Sequence, residues 1–194
     1  KNNLMLGGSQ KQIGAAFSVS GADNVEIINN TVNGFLNARR AYIMRLVNLG
    51  SQITRRMYVR DNVFSDPTGQ MKSISGQGGQ IFEDVVLEHN LYWNGKKKLP
   101  SNVKDGGGPF HPIRGKAPVY DPRAIFANPL LPNSTGATTA WCDKNKNQFK
   151  SGNRLISEEY QRLAQYGIPQ TGSPMFTENV GFRPGAIPDE ALPQ

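Results

Sequence analysis

Val25-Glu26-Ile27-Ile28-Asn29-Asn30-Thr31-Val32 has two full echoes along the chain: Met57-Tyr58-Val59-Arg60-Asp61-Asn62-Val63-Phe64 and Val85-Val86-Leu87-Glu88-His89-Asn90-Leu91-Tyr92. A truncated echo, Lys1-Asn2-Asn3-Leu4-Met5, opens the sequence. Each full copy reads apolar, any, apolar, any, polar, Asn, any, apolar. The shared asparagines Asn3, Asn30, Asn62 and Asn90 are 27, 32 and 28 residues apart. A repeat of that length indicates stacked units, each unable to bury its apolar face alone. Apolar residues alternate with period two, so the units are built from strands rather than from helices with their 3.6-residue period.

The pivot asparagine has a physical reason. Asn tolerates left-handed backbone geometry better than other non-glycine residues, and stacked Asn side chains can hydrogen-bond the backbone of neighbouring coils. Between pivots there is room for further strands at Ala15–Ser20, Ala41–Val47 and Gln70–Ser75, with glycine turns at Gly21, Gly50 and Gly76–Gly79. The sequence therefore predicts an all-β chain of parallel coils about 4.8 Å apart over residues 1–131. Residues 132–194 read as an irregular capping region, with a helix over Ser157–Tyr166. Ser157 caps that helix, Glu158 and Glu159 suit its positive end, and Gly167 and Pro169 stop it. Residues 95–120, with Lys96–Lys98, Pro100, Gly106–Gly108, Pro109 and Pro112, read as a long loop.

The repeated phrase resembles the parallel β-helix repeat of pectate-lyase-like proteins. Asn90-Leu91-Tyr92-Trp93-Asn94, Asp121-Pro122 and Phe126-Ala127-Asn128-Pro129 look like that superfamily's closing coils. Gly172-Ser173-Pro174, Val180-Gly181 and Gly185-Ala186-Ile187-Pro188 look like the terminal stretch of its bacterial members. The resemblance implies a right-handed solenoid and a secreted, extracellular or periplasmic, carbohydrate-active enzyme. The scaffold supports many activities, so function must come from the site.

Composition narrows the partner. A net charge of +7 and a pI near 9.6 favour a polyanion. Residues 39–60 hold six arginines and no acid: Arg39, Arg40, Arg45, Arg55, Arg56 and Arg60. Arginine holds carboxylate or sulfate through two parallel hydrogen bonds, so this stretch can carry an acidic polysaccharide. A solvated face with salt bridges to Glu26, Asp61 and Glu88 is the plainer reading. With Tyr42, Met44 and Leu46 inward, Arg45 points out. With Met71 and Ser73 inward, Lys72 points out beside it. Lyases of the resembled superfamily use Lys or Arg as the base in β-elimination, which makes Lys72 and Arg45 the candidate catalytic residues. Arg39, Arg40, Tyr42, Arg56 and His111 are the candidate substrate-binding residues.

Alternatives stay open. A glycoside hydrolase needs two facing acids, and a calcium-assisted lyase needs a carboxylate cluster. Asp61, Asp66, Glu83, Asp84 and Asp121 are available, but no pair has a selecting spacing. His89 reads as a corner residue before a catalytic one. Tyr92 and Trp93 suit core packing or sugar stacking. A non-catalytic glycan-binding or tailspike-like protein is the rival from another class. No resident cofactor is implied beyond possible Ca2+.

The single cysteine, Cys142, excludes an internal disulfide framework and a Cys-rich zinc site. No apolar run reaches membrane-spanning length. No basic-aromatic module points to nucleic acid. The short solenoid opens at mid-coil, so an N-terminal polypeptide, covalent or separate, is expected to stack on the first coil.

Overall fold

The computed structural model describes residues 1–7, 15–34, 42–47, 49–71, 75–76, 82–99, 121–134, 143, 145–148, 151 and 161–183. Strands dominate. In chain order they are β1 (Leu4–Leu6), β2 (Ala15–Ser20), β3 (Asp23–Ile28), β4 (Thr31–Asn33), β5 (Tyr42–Val47) and β6 (Thr54–Arg60). They continue with β7 (Val63–Ser65), β8 (Ser75–Gly76), β9 (Phe82–Glu88), β10 (Leu91–Trp93) and β11 (Ile125–Phe126). All pairings between these strands are parallel, in three sheets: sheet A in the order β1-β4-β7-β10-β11, sheet B in the order β2-β5-β8, and sheet C in the order β3-β6-β9. From β2 to β10 the chain visits B, C and A in strict rotation.

That rotation follows from the repeated phrase. Its first half is a sheet C strand, its Asn-containing pair is the corner, and its last residues begin a sheet A strand. Register keeps the copies aligned, with Val25, Met57 and Val85 in one row and Ile27, Val59 and Leu87 in another. These rows point inward and are buried or half-buried. They meet Val19, Met44 and Leu46 of sheet B and a column from sheet A. In that column Phe64 stacks on Tyr92 with ring centroids 5.6 Å apart, and Phe17 meets Phe64 edge-on at 6.5 Å. The 32-residue spacing has a simple origin. Sheets B and C are joined by Gly21-Ala22 after β2 but by residues 48–53 after β5. Gly21 has φ +53°, and a Cβ there would meet the Leu49 Cβ at 2.8 Å, so the longer loop needs this glycine.

The left-handed corner residue is not the repeated asparagine. Positive φ falls one residue earlier, at Asn2 (55°), Asn29 (52°), Asp61 (56°) and His89 (56°). The repeated asparagine instead forms a ladder. Backbone N–H and side-chain Nδ2 of each rung donate to Oδ1 of the next: Asn3 to Asn30 at 3.0 and 2.9 Å, Asn30 to Asn62 at 2.9 and 2.8 Å, and Asn62 to Asn90 at 3.1 and 2.9 Å. Spare Nδ2 protons go to backbone carbonyls, including Ile27 and Arg60 from Asn62 and Val59 from Asn90. A buried amide with all its groups paired costs little, whereas an orphaned one costs much, which fixes Asn at this rung.

The outer face of sheet A is covered. Val63 and Leu91 pack with Met175 and Val180, flanked by Trp93, Ile125 and Leu131. Polar contacts pin the cover: Phe182 N donates to Thr31 Oγ1 (2.8 Å), and Asn33 Nδ2 donates to the Pro132 and Tyr166 carbonyls (2.9 and 3.0 Å). Residues 161–164 are helical and lead into a 3-10 turn, Gln165–Gly167. A further one-turn helix, Pro174–Thr177, is capped by Ser173, whose hydroxyl accepts from Met175 N. Among the described residues no helix is long and apolar enough to cross a membrane.

Candidate functional site

Sheet B carries one charged residue among its described strands. Arg45 is exposed on β5, with Met44 and Leu46 buried on either side of it. Its neighbours across the sheet are Ser18 on β2 and Ser75 on β8. The sequence placed Lys72 opposite Arg45, but the register puts Ser75 there. No acid lies on Ala15–Ser20, Tyr42–Val47 or Ser75–Gly76, and Arg45 has no ion-pair partner among the described residues. Tyr42 is the first residue of β5, two positions after the Arg39-Arg40 pair in sequence. Arg39, Arg40, Lys72 and His111 lie outside the described residues.

Sheet C is different. Its outward rows are Asp23, Arg55 and Glu83; Glu26, Tyr58 and Val86; and Ile28, Arg60 and Glu88. Between the first two rows, Asn24, Arg56 and Asp84 are exposed and left-handed, with φ of 58°, 47° and 50°. Arg56 donates to Asp23 Oδ2 at 2.5 Å. Lys1 pairs with Glu26, Arg60 with Asp61 at 3.7 Å, and Arg123 with Glu88 at 2.9 Å. The Lys1 ammonium holds the Glu26 carboxyl below its ordinary range. Arg55 is thus bracketed by Asp23 of β3 and Glu83 of β9, Arg60 lies beside Glu88 of β9, and Arg56 pairs with Asp23, so Arg56 belongs to a self-neutralised surface.

The remaining candidates resolve into structural roles. His89 is a corner residue whose Nδ1 lies 2.9 Å from Asp61 Oδ1 and whose Nε2 lies 3.4 Å from Glu178 Oε2. Asp121 does start a turn, and it is also the fifth rung of the ladder. It is fully buried, and its carboxylate accepts from His89 N (2.7 Å), Asn90 N (2.9 Å) and Asn90 Nδ2 (2.8 Å). Tyr92 is core. Burial, then the Asp121 charge, pushes its phenol well above the usual range. Trp93 lies half-buried under the cover of sheet A. Asp66 is buried in a turn, accepting from Thr68 N and Oγ1 and from Gln70 N. Burial raises its pKa against those hydrogen bonds. Glu83 and Asp84 lie on sheet C. Among the described residues no three His, Cys, Asp or Glu side chains are grouped to hold a metal ion.

Two features escaped the sequence reading. The fifth rung is a different residue type, and only its place 31 residues after Asn90 marks it. The positive-φ column of Asn24, Arg56 and Asp84 shares no residue type, although Asn24 and Asp84 both tolerate positive φ. No protein-family model, curated protein or solved structure matches the chain.

Proposed function

We propose that the chain is a right-handed parallel β-helix of a secreted, polysaccharide-active protein. In this reading the sheet B face around Arg45 binds an acidic glycan and cleaves it by β-elimination. The B, C, A rotation from β2 to β10, the parallel pairing of β1 to β7 each with the strand three places on, and the asparagine ladder support the architecture. Parallel crossovers in such rotations are right-handed by a wide margin. The observation that carries the activity is the uncompensated charge of Arg45 on a sheet with no described acid.

Elimination needs such a cation. The guanidinium takes the uronate carboxylate in a two-point contact and neutralises it. Removal of the neighbouring carbon-bound proton then places charge on that carboxylate, and Arg45 stabilises it as it develops. The freed electron pair forms a carbon–carbon double bond, the glycosidic carbon–oxygen bond breaks, and the leaving oxygen takes a proton. The sequence nominates Lys72 as the base. Its role rests on substitution, since it lies outside the described residues.

The test is ultraviolet detection of unsaturated uronate from alginate, pectate and glycosaminoglycans, with and without calcium. A signal on one substrate that Arg45→Ala abolishes supports the reading. New reducing ends without unsaturated product would indicate a hydrolase. Retention on a polyuronate without turnover would indicate a binding protein. Neither retention nor turnover would remove the glycan reading.

A further inference from the structure

Residues 178–183 form a strap along the column of left-handed corner residues His89, Asp61, Asn29 and Asn2. Glu178 faces His89, and Gly181 N donates to the Asp61 carbonyl at 2.8 Å. Phe182 N donates to Thr31 Oγ1 at 2.8 Å, and the Arg183 backbone exchanges two hydrogen bonds with the Asn2 side chain, at 3.2 and 2.8 Å. Three coil steps cover about 14 Å, within the roughly 17 Å that five residues can span, so one short segment reaches four coils. The strap lies tight on sheet A. Gly181 has φ +87°, and a Cβ there would meet Thr31 Oγ1 at 2.7 Å and Val63 Cγ2 at 2.8 Å. Met175 and Val180 pack on Val63 and Leu91 beneath it.

The attachments at Gly181, Phe182 and Arg183 are amide hydrogen bonds, which keep their protons across the neutral range. The attachment at Glu178 is of another kind. His89 Nδ1 lies 2.9 Å from Asp61 Oδ1, within the corner column, and Nε2 lies 3.4 Å from Glu178 Oε2, across to the strap. A carboxylate only accepts. A neutral imidazole has one N–H, so it serves one of these acids and turns a lone pair toward the other, whereas the imidazolium serves both. The other charged groups at this corner are carboxylates and guanidiniums, which ordinarily titrate well outside the neutral range. Asp121 accepts from His89 N, Arg60 lies 3.7 Å from Asp61 Oδ2, and Glu88 pairs with Arg123 at 2.9 Å. On the strap, Arg183 donates to the Asn179 carbonyl.

We infer that His89 is a proton-controlled latch for this strap. Its imidazolium bridges Asp61 to Glu178 and holds the strap on sheet A. Loss of the proton frees the Glu178 end, over the outward apolar residues Val63 and Leu91. The sign follows from the donor count. The stabilisation is present where the ring is charged and both acids are ionised, and it is lost as the pH rises through the imidazole range. It is lost again in acid once the carboxylates take up protons. Sheet B takes no part, so the inference stands apart from the glycan reading.

The test is amide hydrogen exchange of the full chain, followed by NMR at about pH 5.5 and about pH 8. Protection factors, which divide out the pH dependence of free-peptide exchange, are compared for Val180, Gly181 and Phe182 on the strap and for Val59 in sheet C. Strap protection should be at least about threefold higher at the lower pH, a modest factor because the Glu178 side chain is 46% exposed. Protection of Val59 should not change. Glu178→Gln supplies an amide that pairs with either form of the ring, so strap protection should become independent of pH. His89→Asn should do the same, and Asn29 already holds the equivalent corner at φ 52°. Glu178 is a surface residue, so its variant decides the matter if the corner variant fails to fold. Equal wild-type protection at both pH values would overturn the inference. So would a pH dependence that survives either substitution, or one that Val59 shares.

Discussion

Sheets B and C turn arginine outward from the same repeat, yet the two faces are electrostatic opposites. On sheet C, Arg55 lies between Asp23 and Glu83 one strand away on each side, Arg60 lies beside Glu88, and Arg56 is tied to Asp23. On sheet B, Arg45 lies between two serines. Exposed ion pairs contribute little to stability, about 0.2–1 kcal/mol each. Sheet C is therefore a solvated surface that satisfies itself, while Arg45 on sheet B has no ion-pair partner among the described residues. Arginine-rich sequence does not distinguish these cases. The residues one coil away do.

The comparison presupposes a shared scaffold, and removing that scaffold should have the largest effect. Asn62→Leu deletes the acceptor of Asn30's backbone N–H and Nδ2, and removes the Nδ2 donor from Asn90 Oδ1 and from the Ile27 and Arg60 carbonyls. Buried groups orphaned in this way cost on the order of 4 kcal/mol together. Urea unfolding should show a loss of that order, with both faces lost together. A loss under about 1 kcal/mol would mean that strand pairing alone holds the register.

The next effect separates the faces. Arg45→Ala should reduce formation of unsaturated product at least a hundredfold, while the urea midpoint stays within about 0.5 kcal/mol, as for surface changes generally. Arg45→Lys keeps the charge and loses the two-point geometry, so it should recover only part of the rate. Equal activity in wild type and Arg45→Ala would make sheet B another solvated face.

Arg56→Gly is the matched control on sheet C. The ion pair with Asp23 is worth at most about 1 kcal/mol. A non-glycine residue in left-handed geometry costs about the same, which glycine relieves. The two nearly cancel, so stability should change by less than about 1 kcal/mol, with turnover unaffected. A hundredfold fall in turnover would move the active face to sheet C.

How much of this was legible follows from what each feature demands of residue type. The ladder requires one amide with donors and an acceptor at every rung, so Asn3, Asn30, Asn62 and Asn90 repeat and can be read. The left-handed corner accepts Asn, Asp or His, so its residues vary and the geometry was assigned one position late. Asp121 ends the ladder because a last rung needs only acceptors, and that change of residue hid it. Inward alternation placed Met44 and Leu46 inside and Arg45 outside. The partner of Arg45 across the sheet depends on the turn at Asp66–Gly69, whose length the repeat does not encode. Charge pairing on sheet C joins Asp23 to Arg56, 33 residues away, and becomes visible only once register is known. The cover of sheet A is further still: Gly181 N reaches the Asp61 carbonyl at 2.8 Å from the other end of the described chain.

The smallest effect tests whether sheet C is self-neutralised in solution. Lys1 lowers the Glu26 pKa from its ordinary 4.5. The folded state therefore holds that proton less tightly than the unfolded chain does. Stability from this pair is present above pH 4.5 and is lost as the pH falls through the lowered folded value. Glu26→Gln removes the titrating group, so wild type should melt slightly higher than the variant at neutral pH, with the gap closing in acid. Both side chains are about half exposed, at 59% and 45%, so the gap should also close in molar salt, where the screening length falls to about 3 Å. A gap that persists in both acid and salt would come from packing of the Glu26 stem against Tyr58 in the same row. In that case the charge on sheet C would be as available to a ligand as the charge on sheet B.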